Sequence, residues 1–376
     1  MKCIDELPAE ALKGKHVLVR SDFNMPLDPL GEVAEPFRLK RGWETIQFLS
    51  ERGACVIIIS HIGRNPEETN APVARALAKL APAVHISDLV GPAARQARDA
   101  MRPGDILLLE NLRRDPREVA NDEGFARELA SLGDLYVDDA FAAAHRAHAS
   151  IVGVPKFIPS YAGLLMRDEV DQLSDALKPQ SPSFAILGGA KFETKAPLIK
   201  TLLAAYDHVF IGGALANDVF KAKGLPVGRS LVSEELPGPD VLEHPHFVAP
   251  VDVTAERSDK QASVKRPEEV GEDDKIVDIG PDSVGLIAPY IRDAKFILWN
   301  GPTGLYEDGY THWTHAIAEL IAHSEAKKVI GGGDTIAALE DSGIDKGKLG
   351  FLSTGGGAML EFLMSIGTLP GIDALK

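Results

Sequence analysis

Two cysteines in 376 residues, Cys3 and Cys55, exclude a disulfide framework and offer no metal-ligand spacing. Cys55 falls inside an apolar run and reads as a small buried residue. Aromatic residues are scarce at 6%, and the 40 lysines and arginines fall short of the 55 aspartates and glutamates. The resulting net charge of −15 argues against non-specific binding to nucleic acid or to an anionic membrane. Positive charge for any anionic metabolite must then be gathered locally. No secretory pattern opens the chain and no apolar stretch is long enough to span a bilayer, so a cytoplasmic location is expected. Also missing are a G-x-x-x-x-G-K-[ST] loop, a protein-kinase catalytic-loop signature and a G-x-G-x-x-G at the first strand. No Ser–His–Asp nucleophile set stands out, and no repeat of fixed period is present.

What is present is a chain too long for one core, with 45% hydrophobic and 25% charged residues, so two domains are expected. Short apolar runs alternate with helical stretches, which predicts an α/β protein with parallel sheets covered by helices on both faces. In the first half the runs are Val17–Val19, Cys55–Ile59, Ile106–Leu109 and Leu135–Val137, with helical stretches such as Leu39–Glu51 and Gly124–Ser131 between them. A second series begins at Phe184 and continues through Val209–Ile211, Ile276–Ile279, Phe296–Trp299, Val329–Ile330 and Phe351–Leu352. Tyr161–Leu177 has the period of one amphipathic helix and is the natural linker between the two series.

In open α/β sheets ligands bind beyond the carboxyl ends of the strands. In the first half those ends carry Arg20, Asp22 and Asn24, then His61 and Arg64, then Arg113, then Asp138 and Asp139, with His145, Arg146 and His148 just beyond. In the second half they carry glycine: Gly188-Gly189, Gly212-Gly213, Gly280, Asn300-Gly301, Gly331-Gly332-Gly333 and Gly355-Gly356-Gly357. One half offers guanidinium and imidazole groups, the other close backbone approach. This asymmetry points to a small, multiply anionic substrate on the first half and a nucleotide on the second.

Each site has a plainer alternative. Lys191 and Lys195 follow a strand and Gly188-Gly189 at the mouth of a helix, a place to hold phosphate, or they are two solvated lysines. A strand-end arginine is either a ligand for carboxylate or phosphate or half of a surface salt bridge. Arg38 is equally a first-turn charge, the Asp22-Phe23-Asn24 turn a satisfied loop, and His145 and His148 polar packing. Asp334 and Thr335 after Gly332-Gly333 cap a helix, and Asp334 also suits magnesium beside a phosphate cradle. Glu307 is either a sugar contact or an exposed acid.

Nine segments in order bear a joint resemblance: VLVRSDFNMPL, SHIGR, LENLRR, DAFAAAHRAHAS, AILGGAK, IGGALAN, WNGPTGLYE, GGGDT and STGGGA. Together, and almost end to end, the chain resembles the phosphoglycerate kinase family. That resemblance implies two doubly wound, Rossmann-like domains: an N-terminal phosphoglycerate domain over 1–160, a hinge helix over 161–178 and a nucleotide domain over 179–363. The tail, 364–376, is expected to fold back onto the first domain. It implies reversible transfer of the acyl phosphate of 1,3-bisphosphoglycerate to Mg2+-ADP, giving 3-phosphoglycerate and ATP, by a monomer whose hinge closure brings the substrates together.

By position, Asp22, Phe23, Asn24, the His61-Ile62-Gly63-Arg64 turn, Arg113 and Arg146 resemble the family's phosphoglycerate site. Arg38 resembles the arginine that meets the transferring group, Lys191 the lysine that follows it, and Lys195 the one on the nucleotide phosphates. Gly212 and Gly213 match the adenine turn, Glu307 the ribose contact, and Gly332, Gly333, Asp334 and Thr335 the phosphate and magnesium loop with Asn300 beside it. Gly355 and Gly356 are expected to neutralise charge in the closed state. Ala142-Ala143, Asp138, Ala214 and Thr194 depart from the family's usual residues, but none removes a charge the reaction needs. The rival readings are a kinase of a related phosphorylated acid and a non-catalytic nucleotide-binding relative.

Overall fold

A computed structural model describes residues 1–34 and 36–376. The chain forms two units, Met1–Asp171 with Thr368–Lys376, and Gln172–Gly367. The division falls inside the Leu164–Leu177 helix.

In the first unit six strands are parallel in the order β3-β4-β2-β1-β5-β6, with β1 His16–Arg20, β2 Cys55–Ile59, β3 Val84–His85, β4 Ile106–Leu108, β5 Leu135–Asp138 and β6 Ser160–Ala162. β2 reads Cys-Val-Ile-Ile-Ile and is buried throughout, as a central strand covered on both faces must be. The Phe37–Glu51 helix packs Leu39, Gly42, Ile46 and Leu49 inward at helical spacing. Gly42 is required there, since a Cβ would lie 2.9 Å from the Phe23 ring. The Pro370–Ala374 helix returns to this unit, where Gly371 N–H donates to the Ala144 carbonyl at 2.8 Å, just before His145 and Arg146.

The second unit holds β7 Ser183–Leu187, β8 His208–Ile211 and β9 Phe247–Val248, then β10 Val253–Glu256, β11 Ala262–Lys265 and β12 Lys275–Ile279, then β13 Phe296–Asn300, β14 Lys327–Gly331 and β15 Phe351–Leu352. Its six-stranded parallel sheet has the order β15-β14-β13-β7-β8-β9. The order reverses between β7 and β13, where register places Leu187 beside Asn300 and Asn300 beside Gly331. Gly188 and Gly301 cross at this point, and a Cβ on Gly188 would meet the Pro302 carbonyl at 2.2 Å.

Two expectations are corrected. Ile276–Ile279 lies in β12 of a separate antiparallel sheet, β11-β10-β12, not in the parallel series. An apolar run does not disclose its partner, and β11, largely exposed, carries little apolar signal. Tyr161 belongs to β6, and the linker helix starts at Leu164. Gly163 makes the break: its Cβ would sit 2.0 Å from Asp139 Oδ1, and Asp139 instead accepts from Met166 N–H at 3.2 Å.

Candidate active site

Beyond the ends of β1, β2, β4 and β5 the first unit gathers cations. Arg20 is fully buried; its Nε donates to Ser150 Oγ at 3.0 Å and its Nη2 lies 3.1 Å from His61 Nδ1. The Arg113 guanidinium is pushed below its ordinary range by burial and by Arg146, Arg20 and Arg64. Among the described residues neither Arg64 nor Arg113 forms a side-chain hydrogen bond or ion pair, and Arg146 donates only to His145 Nε2 at 3.1 Å. Asp22 and Glu118 offset part of this positive charge, but guanidinium groups left without a carboxylate in contact, as in Arg64 and Arg113, make a site that favours an anion.

Burial and Arg20 hold His61 down to about 3, and burial with Arg113 holds His148 down to about 4, so both rings are neutral at physiological pH. Burial opposes ionisation of Asp22, yet its carboxyl stays below its ordinary range. With His61 neutral, that charge is sustained by Arg38, which donates to Asp22 Oδ2, and by Arg20. Arg38 therefore rests on a protein carboxylate.

The remaining residues of this group shape the loops rather than add charge. Phe23 is a core side chain, but its N–H donates to Ser60 Oγ at 2.9 Å. Asn24 Oδ1 accepts from Gly63 N–H at 2.8 Å, and Gly63, at φ +62°, has no room for a Cβ beside Glu68. Ile62 is buried, with its N–H and carbonyl both on Asn111.

In the second unit a cavity of about 350 Å³ lies over the glycine crossing, lined by Lys191, Lys195, Asn300, Gly332, Gly333, Asp334, Thr335, Gly356 and Gly357. Lys195 arches back so that Nζ donates to the Gly188 carbonyl at 2.6 Å, and burial lowers it to about 8. Among the described residues Asn300 Nδ2 is a buried donor without a partner, and Gly332, at φ +101°, carries the chain past it. A second cavity of about 200 Å³ shares Gly189, Ala190 and Asp334 with the first and is lined by Gly213, Ala214, Asn217, Asp278, Thr303, Tyr306 and Glu307. Tyr306 Oη donates to Asp334 Oδ1 at 3.2 Å. One lobe is thus shaped for phosphates and the adjoining one for a base and sugar.

Two predicted residues lie off these cavities. Gly355 N–H is taken by Ser353 Oγ at 3.0 Å, and the lining falls to Gly356 and Gly357. Gly212 N–H is spent on the Leu187 carbonyl at 2.9 Å. Thr335 lines the phosphate lobe, but its hydroxyl bridges Gly331 O and Gly301 N–H at 2.9 and 2.7 Å and so ties β13 to β14.

The family profile of phosphoglycerate kinase matches residues 5–365. The chain belongs to the phosphoglycerate kinase family. It is 42% identical over 383 residues to the phosphoglycerate kinase of Moorella thermoacetica, covering 97% of each chain, and 41% identical over 387 residues to that of Chloroflexus aggregans, covering 96% of each. The structure of phosphoglycerate kinase from Coxiella burnetii superposes with a TM-score of 0.85 at 35% identity, covering 99% of this chain and 98% of that one. That of Pyrococcus horikoshii superposes with a TM-score of 0.87 at 29% identity, covering 100% and 98%. A phosphoglycerate kinase is a phosphotransferase, and this chain is an enzyme of that class on α/β parallel-sheet domains. Among the described residues no helix is long and apolar enough to cross a membrane.

Sequence reasoning missed the residues that brace this site. Asn111 Oδ1 accepts from Ile62 N–H and Arg113 N–H at 3.2 and 3.0 Å, while Nδ2 donates to Ile62 O and Glu68 O, both at 2.9 Å. Glu118, buried behind the arginines, accepts from Ser150 N–H at 2.9 Å and Ser150 Oγ at 2.6 Å. The one available signal was Asn111 within LENLRR, at a strand end.

Proposed function

We propose that this enzyme transfers a phosphoryl group reversibly between 1,3-bisphosphoglycerate with ADP and 3-phosphoglycerate with ATP. The observation that carries this reading is the cluster of Arg20, Arg64, Arg113 and Arg146, in which neither Arg64 nor Arg113 has a side-chain hydrogen bond or ion pair among the described residues and which suits a small acid bearing both a carboxylate and a phosphate. Arg64, Arg113 and Arg146 hold that acid by its phosphate, with Asn24 and Gly63 fixing the turn that carries Arg64, and Arg38 exchanges its contact with Asp22 for the group in transfer. On the other unit Glu307 takes the ribose hydroxyls, Gly213 and Ala214 pack against adenine, and Lys195, Asn300 and the amides of Gly332 to Thr335 hold the phosphates.

Lys191 meets the transferring group, whose equatorial oxygens need charge neutralisation and alignment more than proton transfer. The acceptor carboxylate is already ionised at neutral pH, so no general base is required. His61 and His148, held near 3 and 4, are poor proton acceptors there and fit that chemistry. Among the described residues no three His, Cys, Asp or Glu side chains cluster to hold a metal. Magnesium needs only one or two carboxylates besides phosphate and water, and Asp334, exposed at the phosphate lobe, fits that donor set. Bound there with the nucleotide, the ion would neutralise phosphate charge.

The two substrates are held by different units, so the reaction calls for a closure about the Leu164–Leu177 helix that also excludes water. The same reading takes the enzyme as a cytoplasmic monomer, and sedimentation at assay concentration checks the oligomeric state. A coupled assay with ATP, magnesium and a panel of carboxylate acceptors tests the substrate. Turnover should be confined to 3-phosphoglycerate; preference for another phosphorylated acid would replace this reading.

A further inference from the structure

Lys191 adopts a backbone conformation that a lysine disfavours. Its φ and ψ are +67° and +78°, in the left-handed region, immediately before the Phe192–Ala205 helix. Such conformations persist only where surrounding structure imposes them. Here the constraint can be traced. Phe192 N–H, the first of the helix, donates to Ser233 Oγ at 2.9 Å. The Ser233 hydroxyl donates in turn to Asp218 Oδ2 at 2.9 Å, and Ser233 N–H donates to Asp218 Oδ1 at 2.7 Å.

Asp218 is 1% exposed, and among the described residues no lysine or arginine pairs with it. A buried carboxyl group with both oxygens given to one serine is costly unless that serine is needed where it stands. The Ala214–Ala222 helix that carries Asp218 also lines the base lobe with Ala214 and Asn217, and Asn217 Nδ2 donates to Leu231 O at 3.0 Å, two residues before Ser233. The Ala214–Ala222 helix, the segment that carries Ser233 and the Lys191 turn are therefore linked by hydrogen bonds.

We propose that Asp218 and Ser233 are positioning residues for phosphoryl transfer: the pair clamps Phe192 N–H and thereby fixes the left-handed turn from which Lys191 reaches the transferring group. This rests on the role given to Lys191 above. Neither residue lines either cavity, so their effect on kcat is expected to run through Lys191.

Steady-state kinetics on Ser233→Ala, Ser233→Thr, Lys191→Ala and the Ser233→Ala/Lys191→Ala double variant test it, each paired with a thermal melt. Misplacing a charge at the reacting centre by about an ångström costs about tenfold or more, so Ser233→Ala should lose at least that in kcat with the ADP KM within about threefold. Ser233→Thr, which keeps the hydroxyl, should recover most of kcat. The double variant should be no slower than Lys191→Ala alone, because the serine acts through the lysine. Should Ser233→Ala melt early, Asp218→Asn takes its place in the cycle. Normal kcat in Ser233→Ala beside an impaired Lys191→Ala overturns the proposal, as do losses that add in full. Normal kcat in Lys191→Ala removes the role assigned to that lysine and this proposal with it, a failure recognisable from that single variant.

Discussion

Replacing Asp138 by asparagine should make the protein more stable at alkaline pH while leaving it almost unchanged in acid. Asp138 ends β5 wholly buried; Oδ1 accepts from Ala140 N–H at 3.0 Å and Oδ2 has no partner among the described residues. Burial raises its carboxyl from 3.8 to about 7, against the pull of the Ala140 N–H and Arg20, with Glu118 adding to the rise. A carboxyl raised in the folded state contributes stability that is fully present below its unfolded value and is lost as pH climbs through its folded value. The window is therefore from about 4 to about 7. At about 1.4 kcal/mol per pH unit, the gap sets a ceiling of about 4 kcal/mol on the stability lost across it. Asparagine keeps the shape and the acceptor for Ala140 N–H but cannot ionise. Neighbouring Asp139, raised to about 8 by burial and partly by Asp138, should ease in the same direction. Urea unfolding followed by amide exchange in β1 and β5 reads this unit alone. We expect Asp138→Asn to gain about 2–4 kcal/mol at pH 8 and less than about 1 kcal/mol at pH 4. A difference equal at both pH values would show that the carboxyl's hydrogen bonding, not its charge, sets the effect.

Three further outcomes rest on the site itself. Burial lowers Lys195 to about 8, and phosphate selects its protonated form, so ADP affinity should fall about tenfold per pH unit above pH 8; in calorimetric titrations Lys195→Met should bind more weakly with a flat profile, and an unchanged slope would refute the assignment. Arg38→Ala should cut kcat far more than it weakens binding of either substrate, since its contact with the transferring group forms only in the transition state; steady-state kinetics showing equal losses, or near-normal turnover, would reject that role. Asn111→Ala removes four hydrogen bonds at once, which should cost about 2–3 kcal/mol in urea unfolding and raise the KM for 3-phosphoglycerate while sparing that for ADP.

The strand ends were legible because parallel strands buried on both faces read as apolar runs, and topology puts the site at the carboxyl end of each run. That places Arg20, His61, Arg113 and Asn300 from sequence alone. Length and charge could not reveal which side chains the fold brings within 3 Å of each other. Asn111 meets Ile62 across 49 positions and Ser233 meets Phe192 across 41, and nothing local marks either pair. The antiparallel β10–β12 sheet escaped for a related reason: Ala262–Lys265 is largely exposed and shows no buried face to detect. Gly355 shows the converse limit, since its motif could not disclose that its amide here donates to Ser353 Oγ.

The choice of cation in each unit is set by its surroundings. Around the first unit's anion site burial and neighbouring arginines suppress histidine charge, as His61 near 3 and His148 near 4 show. A lysine packed against those arginines would be driven toward neutrality by the same two effects. Guanidinium stays charged at any physiological pH and presents a planar fork to carboxylate and phosphate, so arginine is the cation that such a crowded site can use. The second unit inverts the problem. Its phosphate lobe lies over Gly188 and Gly301, where main chains cross too closely for any Cβ. Lys195 fits beneath it with a single nitrogen 2.6 Å from a carbonyl oxygen, a place that admits a point charge on a slender stem but not a planar group of three nitrogens. Lowered to about 8, Lys195 is still largely protonated near neutral pH, and an anionic ligand would hold that proton to higher pH. An acidic chain thus offers two candidate anion sites by opposite means, one with cations too basic to discharge and one with a single lysine set among bare main chain.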